Sequence, residues 1–363
     1  MRATRYEEIP KLCRVSKQVQ HIAEAALYEN LQLGDPALAY EACTALAAQN
    51  FARTSYVRMF YVWQGSRSRG PLPEAFWRLI KTVLSRMENL EELYLYDDSY
   101  SNSWIFDNPF PFKLREVTLF FQWDQRVVGF LDTQDRLKYL QLHTGNEDDG
   151  NSDLAQRISL TGNFPELVTL DGPLHVAFDL LNSPLKQLKL VLDDDNASLF
   201  ESFLEAMALS SMNMHNFLVI AIPEFLVDDT LRFLGASNLA TTLRHLGVFS
   251  LPLVDVCCHA LTLAHMTFAD GLLQRSDMHR SLLKFSRLEA IQLDVSHWNE
   301  APLLPYIQRM LATELRTYCS TLRQLVFWHG HNQTIWRYDG EQWAHQHIPG
   351  PRYIIRDVLW REF

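Results

Sequence analysis

EAFWRLIKTVLSRMENLEELYLYDDS, residues 74–99, changes its period in the middle, and that change decides the fold. Up to Met87 the apolar residues Phe76, Leu79, Ile80, Val83, Leu84 and Met87 recur at three- and four-residue steps, one face of a helix. From Leu90 the pattern is L-x-x-L-x-L. Leu93 and Leu95 are two apart, the period of a strand with one buried face, and Leu90 turns into the same core before the strand begins.

The same phase recurs along the chain. It reads VRMFYV at 57–62, LREVTL at 114–119, LKYLQL at 137–142, a damaged LVTLDG at 167–172 and LKQLKL at 185–190. FLVIAI at 217–222, LRHLGV at 243–248, LEAIQL at 288–293 and LRQLVF at 322–327 follow, and LAHMTF at 263–268 fits either strand or helix. Helical patterns precede several copies: LFESFLEAM (199–207), LLKFSR (282–287) and LLPYIQRMLATEL (303–315). Helix then strand, repeated, stacks parallel strands on one side and helices on the other, and no unit buries its apolar edge alone.

This pattern resembles the leucine-rich repeat over about residues 50–330. The family's Asn or Cys after the third leucine is missing from LYLYDDS, LQLHTGN and LKLVLDD, so the repeats are expected to be uneven. The alternative is an ordinary α/β domain with a leucine-rich core, whose parallel strands tend to read as continuous apolar runs. The expected fold is therefore α/β: an irregular leucine-rich-repeat solenoid with parallel strands on the concave face and helices on the convex face. The expected divisions are a helical segment at 1–35, the solenoid at 36–330 and a C-terminal cap at 331–363. IWRYDGEQWAHQ (335–346) predicts the cap as a β-hairpin, with Asp339-Gly340 as a two-residue turn.

Nearer the start, PKLCRVSKQVQHIAEAALYENLQL (10–33) places Leu12, Val15, Val19, Ile22, Ala23 and Ala26 on a helical stripe, then alternates Leu31 and Leu33. The run L-x-x-V-S-K-x-x-x-x-I-A-x-x-x-L-Y-x-x-L-x-L is similar to the second half of an F-box of fungal F-box proteins with leucine-rich repeats. The phrase NFARTSYVRMFYV (50–62) resembles their first repeat. Only MRATRYEEIP precedes the match, where the family has a Leu-Pro helix, so the F-box is expected to be N-terminally truncated or degenerate. The resemblance implies a substrate-recognition subunit of an SCF-type ubiquitin ligase, docking the Skp adaptor through Leu12, Val15, Val19 and Ile22. A plain capping helix for the solenoid is the other reading of this segment.

Charge and composition restrict the partners. The net charge is −10, without a clustered positive field, which argues against nucleic acid. The most apolar run, FLVIAIPEFLV (217–227), is broken by Pro223 and Glu224 and falls short of the roughly 20 apolar residues of a membrane span. No secretory signal is read at the start, and the five cysteines, two of them adjacent and none in CxxC, suggest a reducing compartment. The chain is expected in cytoplasm or nucleus, with a protein target and no membrane partner.

In the strand phase, the residues between core positions point to the concave face. The expected partner surface is Tyr61, Trp63, Tyr94, Tyr96, Phe120, His143, Lys189, Gln292, Asp294 and Trp328, unless the N-terminal helices or SYSNSWIFDNPFPF (99–112) cover it. Exposed clusters of Tyr and Trp are typical interface anchors. No GxSxG, GxGxxG, P-loop or HExxH pattern occurs. Cys257-Cys258-His259 reads as packing, and the acidic runs at 146–153 and 193–195 read as solvated loops. His329 and His331 with His345 and His347 are the one arrangement suggesting a metal-dependent enzyme, without an evident carboxylate ligand. The expectation is a non-enzymatic protein with no cofactor and no metal.

Overall fold

A computed structural model describes residues 16–63, 71–144, 158–192, 197–210, 212–220, 222, 224–250, 276–296, 304–330 and 332–348. The chain is an α/β protein of mostly parallel strands and forms two compact units, Met1–Ser183 and Pro184–Phe363.

In the first unit, helix α1 (Lys17–Tyr28) starts where the Ser16 hydroxyl accepts from the Val19 amide, 3.3 Å. It leads into β1 (Asn30–Leu33). Helix α2 (Pro36–Ala47) is capped by Asp35, which accepts from the Ala37 and Leu38 amides, with Pro36 in its first turn. Then come β2 (Met59–Val62), α3 (Glu74–Leu84), β3 (Glu92–Tyr96), β4 (Glu116–Phe120), α4 (Gln125–Asp132, capped by Asp124), β5 (Tyr139–His143), β6 (Thr169–Pro173) and α5 (Leu174–Asp179). Strands β1 to β6 pair in parallel in chain order. The extended tail expected at Leu31 and Leu33 is thus β1, paired to β2 with Leu31 opposite Phe60.

A repeated backbone step sets the register. The carbonyl of the residue before each strand accepts two consecutive amides from the next unit: Glu29 from Arg58 and Met59, Arg58 from Glu91 and Glu92, Glu91 from Arg115 and Glu116, Arg115 from Lys138 and Tyr139, Lys138 from Val168 and Thr169. This step leaves the preceding residue turned inward, and Val57, Leu90, Leu114, Leu137 and Leu167 are all buried. Leu93 and Leu95, Val117 and Leu119, and Leu140 and Leu142 bury the same face of their strands.

The second unit runs β7 (Gln187–Val191), α6 (Ala197–Leu209), β8 (Asn216–Ile220), α7 (Glu224–Ala236), β9 (His245–Ser250), helix α8 over 276–282, β10 (Ala290–Asp294), α9 (Pro305–Tyr318) and β11 (Gln324–His329). Its strands β7 to β11 are parallel and in chain order, and Lys186, His215, Arg244 and Glu289 repeat the two-amide step. Helix α8 ends where LLKFSR begins, a few residues earlier than its pattern predicts. Phe217 pairs with Leu188 and Val219 with Leu190, so the copy expected at 217–222 begins three residues earlier, at Met214. The continuous apolar run hides the phase there, and burial of Met214 and Phe217 settles it.

The hairpin is present as β12 (Asn332–Tyr338) and β13 (Trp343–Ile348), with β12 antiparallel to β11. Its connection is the four-residue loop Asp339–Gln342, not a two-residue turn. The Asp339 carboxylate accepts from the Glu341 and Gln342 amides, both 2.8 Å, and Gly340 takes a φ of 113°.

Candidate functional site

The strands that bury Leu93 and Leu95 on one side turn Glu92, Tyr94 and Tyr96 to the other. Equivalent positions on neighbouring strands carry Tyr61 and Trp63, then Thr118 and Phe120, then Gln141 and His143. Parallel register stacks their rings across the sheet. Tyr94 lies 5.8 Å from Tyr61, 6.3 Å from Trp63 and 5.8 Å from Phe120, between ring centroids. Tyr96 meets Phe120 at 4.9 Å, and Phe120 stacks on His143 at 4.1 Å and 13°. Six aromatic residues on four successive strands therefore form one ladder. All six are half-buried.

Polar groups fix the ladder at both ends. The Tyr61 hydroxyl donates to Glu92, 2.5 Å, and the Tyr96 hydroxyl to Asp98, 3.0 Å. Burial, then the adjacent Asp98 carboxylate, pushes the Tyr96 phenol up to about 12, and burial pushes that of Tyr100 up as well. At the far end Gln141 is the junction. Its carbonyl accepts from Tyr139 (2.9 Å) and Thr118 (3.3 Å), and its amide donates to Asp171 (3.0 Å) and meets His143 Nε2 at 3.0 Å. An amide that donates to His143 Nε2 leaves the ring proton on Nδ1.

The segment 99–112 does not lie over this ladder with its phenylalanines. Phe106 packs on Phe121 (5.3 Å) and Phe130 (4.6 Å), and Phe110 on Phe112 (5.1 Å), on the side of the sheet where Trp77 of α3 meets Phe121. Buried Asp97 anchors its start, accepting from the Ser99 and Asn102 amides at 3.1 and 2.9 Å.

The remaining expected partner residues lie in the second unit, and two of the four are buried there. Gln292 and Trp328 are buried: the Trp328 indole donates to the Gln292 carbonyl, 2.8 Å, and the Gln292 amide meets His245 Nε2 at 3.0 Å. That corrects their placement on an exposed face, because both are held in a buried polar row. Trp328 also packs with Val326 and Ile335. Lys189 and Asp294 are half-buried, and Asp294 accepts from the Ser296 amide, 2.8 Å.

Of the residues expected to dock an adaptor, Leu12 and Val15 lie outside the described residues, Val19 is half-buried and Ile22 is 71% exposed on α1. His345 stacks on Trp336 at 4.6 Å and His347 sits beside Thr334, while His331 lies outside the described residues. No group of three His, Cys, Asp or Glu able to hold a metal occurs among the described residues. Cys257, Cys258, His259 and the acidic runs at 146–153 and 193–195 also lie outside them. Burial pushes the Cys43 thiol up to about 12 and raises that of Cys319, which disfavours the nucleophilic thiolate. No described helix is long and apolar enough to cross a membrane.

Alternation alone points Glu92 to the ladder, two residues before Tyr94, yet charge at a strand start reads first as solvated. Gln141 is in phase with the ladder, and Asp171 joins the site through a side-chain hydrogen bond to it that no spacing announces. No protein-family model matches the chain, and no curated protein matches it.

Proposed function

We propose that this chain is a non-enzymatic protein-interaction module, an irregular leucine-rich-repeat solenoid whose aromatic ladder on β2 to β5 binds a protein target. The observation that carries this reading is the ladder itself, with six half-buried rings in mutual contact on one sheet face. Stacked rings that are already ordered lose little side-chain entropy on binding and offer large amphipathic area. In this reading the chain resembles the substrate-recognition subunit of an SCF-type ubiquitin ligase and works in the cytoplasm or nucleus. Helix α1, with Ile22 outward, docks the Skp adaptor.

Two measurements test it. A photo-crosslinking residue placed at Tyr94 in the native host is expected to capture a protein adduct that the same residue at Tyr306, on α9, does not. Equal labelling from both positions, or none, removes the ladder from consideration as the target site. Titration of the full chain with the Skp adaptor is expected to give micromolar binding, about −8 kcal/mol, weakened by Ile22→Asp. Absence of binding from folded protein leaves a binding scaffold without a ligase link.

A further inference from the structure

Resting on that reading, we infer that the ladder takes a cationic target: an extended segment of chain bearing arginine at alternate positions. The first ground is charge. Across β1 to β6 the ladder face carries Glu92, Glu116 and Asp171, with Asp98 just beyond β3, and no lysine or arginine among the described residues. Glu92 and Asp98 take neutral tyrosine hydroxyls as partners and form no ion pair among the described residues. Among the described residues no cation cancels their charge. The arginines nearest the strand starts, Arg58 and Arg115, are engaged by Glu91 at 2.6 and 3.2 Å.

The second ground is geometry. Strand β3 lays Glu92, Tyr94 and Tyr96 in one line, and Asp98, in the turn just past it, accepts from the Tyr96 hydroxyl, so a carboxylate lies at each end of the ring pair. A guanidinium seated over a tyrosine face gains from the ring quadrupole while its edge reaches a carboxylate, an arrangement that suits arginine better than lysine. Rings on successive strands repeat about every 4.8 Å, so the ladder from β2 to β5 spans about 14 Å, the reach of roughly four to five extended residues. Such a segment sets two or three alternate side chains on the rings. An acidic segment meets the same carboxylates with repulsion, and a purely apolar one leaves Glu92 and Asp98 desolvated without a counter-charge.

The test uses the full chain and three probes: acetyl-Gly-Arg-Gly-Arg-Gly-Arg-Gly-amide and its glutamine and glutamate counterparts, titrated by calorimetry. The arginine peptide is expected to bind, more weakly at about 300 mM than at about 50 mM salt, and the other two to show no heat of binding. Y94A and F120A are each expected to weaken it about tenfold. E92Q/D98N, which keeps the shape and the tyrosine contacts, is expected to remove most of the salt dependence. D277N/E341Q in the second unit is the control and is expected to change nothing. Binding that survives the ladder variants, equal binding of the glutamate or glutamine peptide, or no binding at all overturns the inference. If the arginine peptide fails while crosslinking from position 94 still captures a protein, the target is not cationic and the interaction reading stands. If both fail, both are wrong.

Discussion

Gly247 sits where a side chain has no room. A Cβ there lies 2.5 Å from the Gln292 Cβ and 3.1 Å from the Gln292 backbone nitrogen. The contact marks the place where β9 and β10 change register: Ile291 pairs with Leu246, but Leu293 pairs with Phe249. Gly247→Ala is expected to destabilise by about 1–3 kcal/mol, as overpacking of a tight interior does, read from the shift in the urea midpoint. Adding Q292A is not expected to rescue it, because the clash is with a Cβ that alanine keeps. Tyr96 gives a second test at this scale. Its phenol is raised from 10.0 to about 12 by burial and then by Asp98. Between those values the unfolded chain has released a proton that the folded chain still holds. Stability from this group is therefore whole below pH 10.0 and falls as pH rises toward about 12. Y96F is expected to flatten that part of the urea-midpoint profile, while the loss contributed by other groups remains.

At the scale of one element, α3 shows how burial and hydrogen bonding compete. Phe76, Trp77, Ile80, Val83 and Leu84 are its buried face, and Trp77 packs edge-on against Phe121 at 5.7 Å. The apolar stripe is legible from spacing. Trp77 is not, since it falls beside the stripe and its indole nitrogen is buried without a hydrogen-bond partner. Trp77→Ala is expected to cost about 3–5 kcal/mol in lost packing. Trp77→Phe keeps an aromatic ring and removes the unsatisfied donor, so its cost is expected to stay below about 1.5 kcal/mol; chemical denaturation of the two variants tests the difference. Other elements were legible to different degrees. The phase of β3, β4 and β5 follows from leucine spacing, because only one face is aliphatic. That of β8 does not, because NFLVI is apolar on both faces and its partner strand has to choose.

For the whole molecule, the consequence of sequence-ordered strands is an edge that must be closed. Strand β11 bonds on its outer side to β12, and β12 to β13. Ending the chain after Gly330 removes those bonds and uncovers the edge beside Val326 and Trp328. That truncation is expected to produce oligomers or precipitate, measured by light scattering after size exclusion, as unprotected edges do.

The helix-then-strand alternation, the inward leucines, the side of each strand that faces away from them, and hence the six rings of the ladder can all be read from residue order. These follow from local period, since a buried face leaves its spacing in the residues that fill it. The rest depends on how the strands pack. Packing put Gln292 and Trp328, in phase with an open face, into a buried row with His245. It placed Gly247 against Gln292 and brought Gln141 to Asp171 across thirty residues of chain. Burial of an outward-phased residue depends on what the chain lays over it, and hydrogen bonds between strands depend on register. Neither leaves a period in the sequence.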